Sequence, residues 1–71
     1  MTAWVLKFNH RTPDHYFAGT RRDPNNNNQP YEALTTNIAE AVHYHSESDA
    51  IMNRDALVNG AQNYTPLEVQ N

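Results

Sequence analysis

The chain has 71 residues, a net charge of −3 and no cysteine. A single domain of this length buries only about 60% of its unfolded surface, and such a core seldom supplies more than about 3–5 kcal/mol of net stability. Disulfide staples and thiolate metal sites are excluded. Stability must come from packing, from helix caps or from a second copy of the chain, so a homodimer is one expectation.

Ala3 to Asn9 alternates as a strand, with Trp4, Leu6 and Phe8 on one face and Val5 and Lys7 on the other. Asn9 to Asp14 is a turn, because Pro13 fixes its own φ and pushes Thr12 out of the helical region. Asp14 to Thr20 is a second strand, rich in aromatics, with Gly19 marking a bulge or bend; the two strands should form an antiparallel hairpin. Residues 21–30 (RRDPNNNNQP) cannot bury apolar area and read as an exposed, mobile loop. Tyr31 to Thr35 is a third strand.

Thr36 or Asn37 can cap a short helix from Ile38 to Val42, with Glu40 placed to return a bond to the cap backbone. His43 to His45 is a link. Ser46 starts a second entry signal, with Asp49 at the third helical position. From Glu47 to Asn59, Ala50, Ile51, Leu57 and Val58, extended by Ala61, share one stripe, and Gly60 reads as the stop. Arg54 lies in that stripe, its stem over the core edge and its guanidinium in reach of water or Glu47. Tyr64 to Gln70 is a last strand, held to an edge by Pro66. The order ββ(β)ααβ predicts an α+β fold: a small antiparallel sheet of three or four strands with one short and one longer helix on one face.

The opening strand WVLKFN, the aromatic HYFAGT, the phrase formed by Ala41, Tyr44 and Ser46, the Asp49–Ala50 pair and the closing PLEV are distributed along the chain from Trp4 to Val69. In these features it resembles the small uncharacterised α+β proteins encoded by phages and prophages, especially those of Gram-positive bacteria. The histidine pair and the asparagine run stand outside that pattern. Some phage proteins of this size are anti-CRISPR or other anti-defence inhibitors, which bind a host nuclease or its nucleic-acid channel. The resemblance therefore implies a host protein or nucleoprotein complex as partner.

The residues themselves offer little chemistry. His43 and His45 form an H-x-H that, with His10 or His15, could ligate zinc or nickel, but four ligands are wanted and ordinary surface histidines flanking a buried Tyr44 fit better. Ser46, His43 and Asp49 make a triad only on paper, since Ser46 and Asp49 already serve a cap. No phosphate-binding glycine loop, G-x-S-x-G or H-E-x-x-H is present. We expect no enzyme and no cofactor.

Charge is uneven. Residues 1–30 carry Lys7, Arg11, Arg21 and Arg22 against Asp14 and Asp23, giving +2; residues 31–71 carry Arg54 against six carboxylates, giving −5. The basic half with Tyr16, Phe17 and Tyr31 suits nucleic acid, and with the histidines it defines the alternative of a small nucleic-acid- or metal-binding regulator. The leading expectation is a protein-binding module that contacts its partner through Glu40, Glu47, Asp49 and Asp55 on the helices and Arg21 and Arg22 on the loop. A solvated helix face, with acids drawn to a helix N-terminus, accounts for Glu47 and Asp49 equally well. Trp4, Tyr16 and Tyr31 could anchor an interface, although a sheet this small needs its aromatics for a core. Residues 1–10 lack a basic start and a long apolar run, and no stretch reaches the ~18 apolar residues of a membrane span, so a cytoplasmic protein is expected.

Overall fold

The computed structural model describes residues 2–70. Its strands are β1 (Thr2–Phe8), β2 (His15–Asp23), β3 (Gln29–Thr35) and β4 (Tyr64–Gln70), joined antiparallel in the order β3-β2-β1-β4. One nine-residue helix, α1 (Glu47–Asp55), and the short α2 (Gly60–Asn63) complete an α+β body. Trp4, Leu6 and Phe8 alternate onto the α1 side of the sheet, where Leu6, Phe17, Ala50 and Tyr64 form the buried cluster. Trp4, Phe8, Leu34, Val42, Tyr44 and Leu57 pack around it. Ala3, Val5, Ala33 and Ala41 are also buried, outside that cluster.

β1 and β2 pair only at Lys7↔Tyr16 and Phe8↔His15, then part company. The residues read as a link, together with Val42 from the end of the expected helix, fill the gap: Trp4 and Tyr44 exchange backbone hydrogen bonds at 3.0 and 2.8 Å, and the Val42 N–H donates to the Phe17 carbonyl at 3.0 Å. Val42 and Tyr44 thus enter the core while His43 and His45 face out, as an extended segment requires. This insertion also shortens the predicted helix over Ile38–Val42. Only a 3-10 turn at Ile38–Glu40 survives, because Ala41 turns extended to feed the gap. Asn37 caps that turn through Ala39 N–H, but Glu40 takes the Thr35 hydroxyl at 3.1 Å rather than the cap backbone.

Three further expectations need correction. Residues 21–30 are not all loop: Arg21, Arg22 and Asp23 continue β2, Gln29 and Pro30 begin β3, and only residues 24–28 turn. The helix from Glu47 ends at Asp55, so Val58 and Ala61 leave the predicted stripe and are exposed. Gly60 starts α2 instead of stopping α1, and Arg54 pairs with Asp55 at 3.2 Å rather than with Glu47. The bulge expected at Gly19 is present: the β2–β3 register shifts between Phe17 and Thr20, and Gly19 adopts φ +105°.

Both sheet edges are guarded in the same way. The Asn9 N–H donates to the Asn63 carbonyl at 2.7 Å, which extends the β1–β4 register as a hydrogen-bonded pair. Alternation then turns the backbone groups of Tyr64, Pro66, Glu68 and Gln70 outward. The Tyr64 N–H is taken by the Gly60 carbonyl, and Pro66 has no donor. On the far side, the Phe17 carbonyl points to Val42, so Leu34 opposite it faces outward, and with it Glu32 and Pro30. Each edge therefore presents an outward Pro-x-Glu, a proline without a donor followed by a charge, which opposes strand addition. A homodimer built on this fold would have to join faces. Pro66→Thr with Glu68→Thr is expected to open β4 and give a measurable dimer at about 100 μM chain by light scattering, whereas Thr65→Val, outside the outward set, should not. A double variant no more associated than the parent would refute the edge assignment.

Candidate functional site

Beyond the bulge, β2 and β3 leave the body as a two-stranded ribbon, and the molecule is elongated, 39 × 22 × 20 Å. The asparagine run closes this arm. Asp23 accepts the Asn25 N–H on its side chain at 2.9 Å and the Asn28 N–H on its carbonyl at 2.9 Å. Asn27 and Asn28 both adopt left-handed backbone, φ 55° and 57°, a conformation asparagine tolerates better than other non-glycine residues. The run is turn chemistry of a defined kind. Arg22 braces it, its guanidinium donating to the Asn28 carbonyl at 3.1 Å.

Where the arm leaves the body it faces the turn that follows α1. Thr20, Pro30, Tyr31 and Glu32 on one side and Ala56, Leu57 and Val58 on the other line an open groove of about 430 Å3. Tyr31 is 47% exposed and Val58 78% exposed, so the walls present apolar surface directly to solvent. Leu57 is shared with a second hollow of about 360 Å3 lined by Asp55, Asn59, Gly60, Ala61 and Gln62. Among the described residues Glu32 is the only charged side chain lining the first groove. Its Oε1 accepts the Tyr64 hydroxyl at 2.7 Å, tying the groove to the core. Tyr64 is 1% exposed and packs edge-on against Phe8 and Phe17, with ring centroids 5.5 and 5.7 Å away. Its phenol is raised above its ordinary pKa by burial first, then by the hydrogen bond and negative charge of Glu32. Burial likewise raises Tyr44.

The residues expected to bind a partner are dispersed. Arg21 and Arg22 sit on opposite faces of the arm, across from Tyr31 and Pro30. Glu47 and Asp49 occupy the first turn of α1 behind the Ser46 cap, whose hydroxyl accepts the Asp49 N–H at 3.2 Å. Asp55 lies at the other end of α1, about 12 Å along the axis. At 100° per residue Glu47 and Asp49 point nearly opposite ways, so these acids and Glu40 form no continuous face. Among them only Asp55 borders the hollows. Sequence reading missed Glu32, Thr20, Pro30 and Val58 as groove residues. The Asn59–Gly60 dipeptide, a strong turn signal, could have ended the helix sooner and released Val58.

The imidazoles are spread out. His43 Nδ1 meets the Ala41 carbonyl at 2.8 Å and His15 Nδ1 the Pro13 carbonyl at 2.7 Å, so each ring nitrogen there must donate. His10 Nε2 lies 3.1 Å from Asn63 Oδ1, with its ring edge-on to Phe8. Among the described residues no three His, Asp or Glu side chains gather as metal ligands. No hydrogen bond joins the side chains of Ser46, His43 and Asp49 among these residues. Among the described residues, too, no helix is long and apolar enough to cross a membrane.

No family model, curated protein or solved structure matches this chain.

Proposed function

We propose that this chain is a non-enzymatic protein-binding module, encoded by a phage or prophage, that inhibits a host defence protein such as a CRISPR effector nuclease. It acts in the host cytoplasm by occluding a surface of that protein. The observation that carries the binding role is the solvent-facing apolar groove at the root of a protruding arm, with Tyr31 and Val58 on its walls. Exposed aromatic and aliphatic side chains beside a concavity are what an interface uses for its anchor contacts. The phage and anti-defence part rests on the sequence resemblance. Arg21, Arg22, Glu40, Glu47, Asp49 and Asp55, spread over the surface around the groove, then serve as charges that steer encounter.

Affinity capture of the tagged chain from Gram-positive host lysate tests this. The wild type should retain a specific protein, and Tyr31→Ala with Val58→Ser should reduce that retention at least about tenfold. Reversing the four helix carboxylates to Lys should slow association and change its salt dependence more than it changes dissociation. A partner that is absent, or indifferent to both sets of changes, would sink the reading.

One observation favours nucleic acid instead: Arg21 and exposed Tyr31 pair across the arm, and a two-stranded ribbon fits a major groove. A mobility-shift series in salt decides between them. Phosphate contacts would give binding at low salt that falls steeply as salt rises.

A further inference from the structure

We infer that the groove between the arm and the turn after α1 is an arginine-recognition site, an inference that rests on the protein-binding role proposed above and names the chemistry of the partner. Its walls are Pro30, Tyr31, Ala56, Leu57 and Val58, and among the described residues its one charge is the Glu32 carboxylate. Glu32 is not free to turn away. The buried Tyr64 hydroxyl holds Oε1 at 2.7 Å, while among the described residues Oε2 has no hydrogen-bond partner. Thr20 lies directly across the strand pair from Glu32, so its hydroxyl joins Oε2 on the same face of the arm.

An anion fixed in an apolar groove selects a cation carried on an apolar stem. Arginine meets this better than lysine. Its guanidinium is planar and more weakly hydrated than an ammonium, so it enters apolar surroundings at lower desolvation cost. Its fork of N–H groups can reach Glu32 Oε2 and Thr20 Oγ1 together, while the stem lies along Leu57 and Val58.

The neighbouring cations do not fill the place. Arg22 shares this face of the arm but bonds to the Asn28 carbonyl at the tip, and Arg54 is paired with Asp55. The Glu32 carboxylate in the lining would repel a phosphate, so the groove suits a protein segment rather than nucleic acid.

The test is a nitrogen-15 NMR titration of the full chain with the blocked peptide Gly-Leu-Arg-Leu-Gly and with the same peptide carrying citrulline, a neutral isostere, in place of arginine. The arginine peptide should shift the amides of Thr20, Tyr31, Glu32, Leu57 and Val58 with a Kd of about 1 mM, and the citrulline peptide should bind at least about tenfold more weakly. Glu32→Gln keeps an acceptor for Tyr64 and should abolish the preference between peptides. Val58→Lys, at a position 78% exposed and so indifferent to folding, should abolish binding by bulk and repulsion. Equal affinity for the two peptides, shifts lying elsewhere, or no shifts would overturn the site. A captured host protein fully retained by Glu32→Gln would also overturn it and leave the module standing. Arginine-selective shifts alongside an empty capture would overturn the module and leave the site.

Discussion

Gly60→Ala is expected to unfold this chain at room temperature. Helix propensity alone argues the reverse, since Gly60 opens α2 and alanine in a helix is favoured over glycine by about 1 kcal/mol. Packing decides the sign. A Cβ at Gly60 would run into the carbonyl of Arg54, which also lies 3.3 Å from that Cβ with its own side-chain Cγ. The obstacle is backbone, and it is occupied: the Arg54 oxygen already accepts the Leu57 N–H at 3.0 Å and closes the last turn of α1. Relief requires α1 and α2 to move apart, which disturbs Leu57 against the core and the Gly60 carbonyl that holds the Tyr64 N–H. A loss above about 3 kcal/mol follows, comparable to the whole net stability of a domain this small. Gly19→Ala makes the contrast. Its nearest neighbour would be Val42 Cγ2 at 4.0 Å, so space exists and only the φ of +105° is penalised, at about 1–2 kcal/mol. Urea unfolding followed by circular dichroism should rank them Gly60→Ala far below Gly19→Ala. A Gly60→Ala protein within about 1 kcal/mol of wild type would refute the close approach.

Which parts of this arrangement could be read from the residues follows from what each part buries. β1 announces itself because Trp4, Leu6 and Phe8 serve a covered face and period two survives in the sequence. The start of α1 is equally plain, since Ser46 and the acids behind it satisfy backbone donors locally. The arm is silent for the opposite reason. Arg21, Arg22, Asp23, Gln29 and Pro30 are placed by the β2–β3 pairing and bury almost nothing, so no hydrophobic period marks them. The insertion of Val42 and Tyr44 between two strands depends on those strands diverging before Lys7 of β1 and after Tyr16 of β2, a tertiary event. The groove is further out of reach. Glu32 and Tyr64 meet across 32 positions of sequence, and neither belongs to a recognisable spacing. The carboxylates chosen from charge asymmetry were real surface charges, but composition carries no angle, and the helix turns Glu47 and Asp49 apart.

Alkaline titration should read the Tyr64 phenol, and comparison with Glu32→Gln its bond to Glu32. In the folded chain the Tyr64 phenol is raised well above its ordinary value of 10.0, by burial, by its hydrogen bond to Glu32 and by the charge of that carboxylate. The folded state therefore holds a proton that the unfolded chain releases. Stability contributed by this group is fully present below pH 10.0 and declines as pH rises through and beyond it, by up to about 1.4 kcal/mol per pH unit. For a domain this small, whose net stability seldom exceeds about 3–5 kcal/mol, two units of alkali remove much of the reserve. Tyr64→Phe should flatten that decline. It should also lower stability at neutral pH by about 1–2 kcal/mol, because Glu32 loses a donor that water replaces only in part. Glu32→Gln separates the causes: the leading one, burial, remains, so the decline above pH 10.0 should persist but be less extended than in wild type. Tyr44, raised by burial as well, leaves a residual slope in Tyr64→Phe. Urea midpoints measured at half-unit steps above neutrality read all three curves. A Tyr64→Phe curve parallel to wild type would mean that the phenol is not the group holding the proton, and the attachment of the groove to the core would have to be sought elsewhere.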